Sequence, residues 1–232
     1  MSYLWQEFNI KTFPSETLVF RNGDFCDDLS DYENCEYNKK TNTVIIKNTP
    51  KLPVHIIYIG EIDGKIALNI EIKAENAGIF MTNKILNKKP AFLNIFVKNA
   101  GKKSFFRGQI IAQNYDSLNI DATGQHLIDE SDIFINTRVL AHKNTNTILK
   151  GFAKIDKNIK DCNSDISFSV MADESAKITM VPTQYINSVP KSATHSASLY
   201  KPTDNQINYL RESGLSGIEV KELLETAFLS EQ

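Results

Sequence analysis

Hydrophobic and polar residues alternate along several short stretches in the middle of the chain. Ile66, Leu68, Ile70 and Ile72 share one face of an extended chain, and small or polar residues separate them. Alternation of this kind is typical of a half-buried β-strand. The segments between the apolar stretches are rich in Asn, Asp, Lys and Gly, which favour turns. The pattern therefore predicts many short strands joined by turns.

About eleven strands are predicted in the region between residues 44 and 181. They cover Val44–Ile46, Ile56–Ile59, Ile66–Ile72, Ile79–Met81, Phe92–Val97, Phe105–Ile111, Leu118–Ala122, Ile133–Leu140, Ile148–Ile155, Ile166–Val170 and Ile178–Val181. Such a series predicts an all-β architecture, and a sandwich, a barrel and a β-helix all match it. Persistent but irregular spacing and asparagine-rich turns, such as residues 143–147, favour the β-helix, because a solenoid tolerates loop insertions.

The N-terminal part is predicted to contain a β-hairpin. Leu18–Arg21 leads into Asn22-Gly23 and leaves through Asp24–Phe25. Asn-Gly supplies the positive φ angles that a type I′ turn requires. An acidic loop follows, and the strand pattern begins after it.

The C-terminal part changes to a helical pattern after Ala197. Two capping boxes mark the starts of two helices, Thr203 with Gln206 and Ser216 with Glu219. The second helix carries an apolar stripe at helical spacing. Its members are Val220, Leu223, Leu224, Ala227 and Phe228. We therefore divide the chain into an N-terminal hairpin and loop (1–40), a β-helix core (41–200) and a C-terminal helical hairpin (201–232).

Composition and charge narrow the functional classes. The chain has 232 residues, 41% of them hydrophobic, which is sufficient for a buried core without disulfides or metals. A net charge of −2 does not favour a dedicated nucleic-acid-binding protein. We see no apolar run of transmembrane length and no secretory signal at the N-terminus. A cytoplasmic protein that binds neither nucleic acid nor membrane is expected.

Cysteines and enzyme motifs give no sign of an active site. Cys26, Cys35 and Cys162 are an odd number without paired spacing, which argues against a disulfide framework or a structural zinc site. No nucleophile elbow, zinc-protease motif or dinucleotide fingerprint occurs. The segment Gly60–Lys65 is too short for a Walker A loop, so the chain is not expected to hydrolyse ATP. We expect a protein that is not itself an enzyme.

The last forty residues carry a more specific pattern. Ala193-Thr194-His195 is followed by Tyr209-Leu210-Arg211, then by Gly214, and finally by Ala227-Phe228. This order resembles the C-terminal segment of the SufB/SufD family of iron–sulfur cluster assembly proteins. Two upstream segments resemble strands of the same family: Leu149–Ile155 and Val181–Ile186.

The resemblance implies a fold and a role. The family has a right-handed parallel β-helix followed by a small helical region, and its members act as scaffolds. They pair through their β-helices and dock an ABC-type ATPase, SufC, through the C-terminal helices, while an iron–sulfur cluster is built transiently at the interface between subunits. A separate ATPase chain agrees with the missing Walker A motif.

The resemblance also implies site residues. His195 is the candidate ligand of iron at the interface, since imidazole is a known iron ligand. The candidate ATPase-docking residues lie on the two helices: Tyr209, Leu210, Leu223, Leu224 and Phe228. The same apolar stripe could instead cover the end of the β-helix, because solenoid ends need covering.

Two departures favour a SufD-like assignment over a SufB-like one. Ser167 stands where SufB proteins have a cluster-related cysteine, and Ser196 follows His195 where they have glutamate. Cys162 lies five positions from the cysteine register and is not a candidate ligand. The N-terminal helical region of longer members is missing, so the chain resembles a short form.

Other interpretations remain open at this point. A β-helix enzyme acting on polysaccharides would line one face of its coils with several carboxylates, and no such ladder occurs in the strands. A binding or structural solenoid of unrelated purpose is the third possibility. The dimer partner is either a SufB-like chain or a second copy, and His195 is either an iron ligand or a hydrogen-bonded residue at the end of the β-helix.

Overall fold

The computed structural model describes residues 16–22, 24–26 and 33–230. These residues form a parallel β-solenoid of about six turns, followed by two helices. The predicted β-helix with its C-terminal helical region is therefore confirmed. The strands are β1 (Thr17–Arg21), β2 (Asp24–Phe25), β3 (Cys35–Asn38), β4 (Thr43–Ile46), β5 (Val54–Glu61), β6 (Gly64–Ile72), β7 (Gly78–Asn87), β8 (Ala91–Asn99), β9 (Phe105–Asn114), β10 (Ser117–His126), β11 (Asp132–Ala141), β12 (Asn146–Ile155), β13 (Asn163–Ala172), β14 (Lys177–Ile186) and β15 (Ser192–Tyr200). The helices are α1 (Asp204–Glu212) and α2 (Gly217–Leu229).

Two sheets face each other across the interior of the solenoid. The odd sheet has the strand order β15-β13-β11-β9-β7-β5-β1-β2, and the even sheet has the order β14-β12-β10-β8-β6-β4-β3. Each coil adds one strand to each sheet. Val54 pairs with Ile79, and Asp132 pairs with Asn163. Residues paired between successive coils from β5 onward are thus 25 to 31 positions apart in sequence, which is the length of one coil.

All eleven strands expected from alternation are present, each extended by one or more residues. The N-terminal hairpin is also present, with Phe20 opposite Phe25 and Arg21 opposite Asp24; Gly23 of its turn lies outside the described residues. Asn144, in the asparagine-rich turn, has a φ of 60°, a conformation that asparagine tolerates better than most residues. Two strands, β3 and β15, were not predicted.

The core consists of inward-facing residues that stack from coil to coil. Ile79, Phe106 and Ile133 occupy the same register position in three successive strands, and all three are fully buried. The even sheet repeats this with Leu93, Ile120 and Leu149. Because each strand contributes every second residue to this core, the alternation in the sequence follows directly from the two-sheet architecture.

Polar residues also stack inside the solenoid, where the strands end. Asn87 and Asn114 are fully buried and pair in register, and Asn87 Nδ2 donates to Asn114 Oδ1 over 3.0 Å. Asn114 Nδ2 in turn donates to Thr147 Oγ1 over 2.7 Å. This ladder provides partners for three of the four polar side-chain atoms of the two asparagines, while Asn87 Oδ1 has none among the described residues.

The two C-terminal helices begin at the capping boxes expected from the sequence. The Thr203 side chain accepts from the Gln206 backbone N–H, and the Ser216 side chain accepts from the Glu219 backbone N–H. The glutamine and glutamate side chains reach back to the backbone of their cap residues. Neither described helix combines the length and hydropathy that crossing a lipid bilayer requires.

Candidate functional site

The C-terminal end of the solenoid is open among the described residues. Strands β14 and β15 are the last of their sheets, so each has one edge to which no described strand pairs. Apolar side chains are exposed on this last coil, including Leu199 at 61% and Val181 at 45% of their accessible surface. An exposed edge with apolar side chains is typical of a surface that pairs with another chain.

His195 lies on the last strand of the odd sheet. It pairs in register with Ile166, which is buried, so the His195 side chain has an inward-facing position. It is nevertheless exposed, because no described coil stacks on β15. Within the described residues no group of three or more His, Cys, Asp or Glu side chains is arranged to hold a metal ion. Among the described residues, His195 is therefore not part of such a group.

The residues around His195 form a hydrogen-bonded polar edge. Thr194 Oγ1 donates to Asp165 Oδ1 over 2.6 Å, and Gln184 Nε2 donates to the Thr194 carbonyl over 2.7 Å. Ser167 and Ser196 are direct register neighbours on the outer face of the odd sheet. This network ties β15 to β13 and β14, and it leaves the imidazole of His195 exposed at the open end.

The cysteines lie away from His195 in the chain and in different surroundings. Cys162 precedes β13, is buried beside Ala193, and burial raises the pKa of its thiol. Cys35 Sγ lies 3.2 Å from Glu16 Oε2. Burial is the main cause that raises the pKa of this thiol, and the Glu16 carboxylate raises it further. Thiols held in the protonated form are poor nucleophiles and poor metal ligands.

The candidate docking residues divide into two groups on the helices. Tyr209 is 70% exposed and Leu223 is 46% exposed, and Leu210 is half-buried. Leu224 and Phe228 pack against the outer face of the odd sheet. This second group covers the flank of the solenoid and not its open end, a division that could not be derived from helical periodicity.

The flank beneath α2 is an apolar patch on the outer side of three strands. Ile111, Leu140 and Met171 point outward from β9, β11 and β13 and are buried by the helix together with Leu229. Tyr200 at the end of β15 stacks on Phe228 with ring centroids 5.5 Å apart. These three strand residues are apolar although they face outward from the solenoid, because α2 covers them.

Ionisable groups fix the rest of α2. Lys221 Nζ lies 3.1 Å from Asp173 Oδ1 and 3.5 Å from Glu225 Oε1. Beside this cluster, the His142 ring stacks on Tyr115 with ring centroids 3.9 Å apart. Burial lowers the pKa of His142, although Asp173 opposes this shift, and burial raises the pKa of Glu225. The ammonium group of Lys221 occupies the space between the two carboxylates, so this cluster anchors the helix and does not form a cation site.

Arg138 provides a test of how firmly α2 is held. Its Nη1 donates to the Phe228 carbonyl over 3.2 Å and to the Ser230 carbonyl over 2.7 Å, at the helix C-terminus. Arg138→Ala is expected to weaken the protection of the α2 amides by about 1–2 kcal/mol, because a cation at a helix C-terminus is lost with its charge-assisted hydrogen bonds. Hydrogen exchange of the α2 amides measures this.

Arg21→Ala is the matched control, since Arg21 is exposed at the end of β1, outside the α2 contact. The protection of α2 should be the same in this variant as in the wild type. Unchanged α2 protection in Arg138→Ala would contradict the anchoring role.

No protein-family model matches the sequence, and no curated protein matches it.

Proposed function

We propose that this protein is a non-catalytic scaffold subunit of a SUF-type iron–sulfur cluster assembly complex in the cytoplasm. It pairs through its β-helix with a SufB-like chain and docks a SufC-type ATPase through its C-terminal helices. The observation that carries the proposal is the order of the motifs in the last forty residues. Ala193-Thr194-His195 lies on the last strand of a β-solenoid, and Tyr209-Leu210-Arg211 and Ala227-Phe228 lie on the two helices that follow.

Pairing through the β-helix is supported by the open end. Strands β14 and β15 present backbone donors and acceptors to which no described strand pairs, and an approaching strand can extend either sheet. Leu199 and Tyr185 add exposed apolar surface beside these edges. A partner that pairs there would bury surface that is otherwise left in water.

The iron–sulfur cluster is cargo in this proposal and not a resident cofactor. His195 is the one candidate ligand that this chain contributes, and its inward register position directs it toward the space between two paired solenoids. The remaining ligands have to come from the partner, because Ser167 and Ser196 replace the family's cysteine and glutamate. This division of ligands supports a SufD-like role beside a SufB-like chain.

ATPase docking is supported by the exposed side of the helical region. Tyr209, Ile218 and Leu223 are large apolar residues that remain exposed, although α2 is anchored on the solenoid. Leu224 and Phe228 pack α2 against the strands. A movement of an ATPase docked on this helix would therefore be passed to the β-helix. We therefore assign the docking surface to Tyr209 and Leu223 and the anchoring role to Leu224 and Phe228.

Co-purification of the full-length chain with the SufC-type ATPase of its host tests the proposal. Tyr209→Asp and Leu223→Asp are each expected to reduce the recovered ATPase at least tenfold, because a carboxylate buried in an apolar interface lacks a partner. These surface variants test the docking role more directly than truncation after Tyr200 does, because truncation would also expose the apolar patch of Ile111, Leu140 and Met171.

Leu52→Asp is the control, since Leu52 is 50% exposed but lies in the turn before β5. It should recover as much ATPase as the wild type. The proposal fails if the wild-type chain recovers no ATPase, or if the two helix variants recover as much as the Leu52 variant.

A further inference from the structure

A groove of about 430 Å³ crosses the outer face of the odd sheet, and none of its lining residues belongs to β14, to β15 or to the helices. It runs along the solenoid axis over β7, β9, β11 and β13. Its walls are two rows of outward side chains two residues apart in each strand, and the backbone between them forms the floor. One row contains Phe80, Arg107, Phe134 and Asp165, and the other contains Thr82, Gln109, Asn136 and Ser167.

The first wall is aromatic and holds a fixed cation. The Arg107 guanidinium lies 5.9 Å from the centroid of the Phe105 ring and 5.5 Å from that of Phe134. Phe80 meets Phe105 edge to face with centroids 5.4 Å apart and stacks on His55. Cation–π contacts restrain the guanidinium before any ligand arrives, which reduces the entropy lost on binding.

The second wall is a row of amides and hydroxyls. Asn136 Nδ2 donates to Ser167 Oγ over 2.9 Å, which orients the carboxamide of Asn136. Gln109 lies one strand away in the same row, and its carboxamide provides further donors and an acceptor. This wall can hydrogen-bond to a polar backbone that lies in the groove.

The first wall also carries two opposite charges, with Phe134 between them. Arg107 is exposed and makes no ion pair with any described residue, while the carboxylate of Asp165 accepts a hydrogen bond from Thr194. Arg107 is on β9 and Asp165 is on β13, two strand spacings apart, which corresponds to about 9.6 Å. The groove therefore carries a positive and a negative group at a fixed separation.

An extended peptide in the polyproline II conformation matches this arrangement. It returns to the same face every three residues, with a rise of about 9.3 Å over that length. Its backbone makes no internal hydrogen bonds, so its carbonyls are free to accept from carboxamides such as Gln109. Aromatic-lined grooves are a recurrent binding site for such segments, because the conformation is formed before binding.

We propose that this groove binds a polyproline II segment of a partner protein that carries an acidic and a basic side chain three residues apart. The acidic side chain pairs with Arg107 and the basic one pairs with Asp165. The prolines between them lie against Phe134, and a proline on the other side of the acidic residue lies against Phe80. The inference does not rest on the proposed function, because the groove contains neither His195 nor a helix residue, although Asp165 and Ser167 pair with the neighbours of His195 on β15.

Titration of the full-length chain with the acetylated and amidated peptide PPEPPKPP, followed by amide NMR shifts, tests the proposal. Saturable shifts centred on β7, β9, β11 and β13 are expected, with a Kd of about 1 mM or tighter. The isomer PPEKPPPP keeps the composition and net charge but not the spacing, and it should bind at least fivefold more weakly. GGEGGKGG keeps the charges but not the conformation, and it should bind more weakly as well.

Charge reversal distinguishes a binding role from a structural one. Arg107→Asp should weaken binding of PPEPPKPP at least tenfold, and Arg107→Asp combined with Asp165→Arg should restore it to within threefold, because the peptide can lie in either direction. Lys150→Ala, which removes an exposed cation from the even sheet, should have no effect. Absence of saturable shifts, equal binding of the two isomers, or preferential binding of trigalacturonate in the groove would overturn the proposal.

Discussion

Replacing Asn114 with alanine is expected to lower the free energy of unfolding by about 4 kcal/mol, which is a large part of the stability of a typical domain. Asn114 is fully buried at the end of β9. Its Oδ1 accepts from Asn87 Nδ2 over 3.0 Å and from the Asp116 backbone N–H over 3.0 Å. Its Nδ2 donates to the Asn146 carbonyl over 3.1 Å and to Thr147 Oγ1 over 2.7 Å.

The expected loss is large because one side chain joins three successive coils. Asn87 belongs to the coil before it and Thr147 to the coil after it. Alanine would leave the buried Thr147 hydroxyl and the Asp116 backbone N–H without the partner that Asn114 provides, and each such loss costs about 1–3 kcal/mol. The cavity left by the missing carboxamide would increase the loss further.

Urea unfolding of Asn114→Ala and of the wild type provides the measurement. Asn94→Ala is the matched control, because Asn94 is an asparagine that faces outward from β8, the strand that precedes β9 in the chain. The control should change stability by less than about 0.5 kcal/mol. A loss below about 1 kcal/mol for Asn114→Ala would contradict the role of the ladder in joining the coils.

The strands of the core could be predicted from the sequence because their inward residues are large and apolar. Ile66, Leu68, Ile70 and Ile72 alternate with small or polar residues, and the alternation extends over the length of the strand. The strand β15, Ser192–Tyr200, could not be predicted in this way. Its inward positions include Ala193, His195 and Ala197, since no described coil covers them and large apolar residues are not required there.

The candidate site was only partly predictable. The capping boxes located both helices, because their hydrogen bonds are local in sequence. The side of α2 that contacts the solenoid depends on Ile111, Leu140 and Met171, which are distant in sequence and come together only when the coils stack. Helical periodicity reports that a face is apolar and does not report what it contacts.

The groove on the odd sheet has a signal in the sequence, although a weak one. Phe80, Arg107 and Phe134 are 27 residues apart in sequence, which is the length of one coil in this region. Pairs at this spacing place the arginine between two aromatic residues on neighbouring strands. Finding them requires the coil length, and the irregular turns, which lengthen the coil to 31 residues at Asn163, obscure that repeat.

Acid is expected to destabilise the solenoid through His126. This side chain is fully buried, and its Nδ1 lies 2.9 Å from Ser131 Oγ. The Ser131 hydroxyl donates to the Ile128 carbonyl, so the neutral ring donates from Nδ1 and leaves Nε2 without a proton. Nε2 has no hydrogen-bond partner in the described part of the chain, so a proton added there would have no acceptor.

Burial is the main cause that lowers the pKa of His126 from 6.5 to about 4, although Asp132 opposes the shift. The unfolded chain therefore binds a proton at a higher pH than the folded protein does. Stability is complete above about pH 6.5, declines as the pH falls toward 4, and loses about 3 kcal/mol over this window.

His126→Asn is expected to remove most of this acid-dependent loss, because Asn99 already occupies the equivalent register position one coil earlier, where its side chain is fully buried. The free energy of unfolding in urea, measured at pH 7 and pH 4.5 for both proteins, gives the difference that belongs to His126. His195→Asn, at an exposed position, should behave like the wild type. If His126→Asn and the wild type lose equal stability between these two pH values, the acid sensitivity arises from other groups.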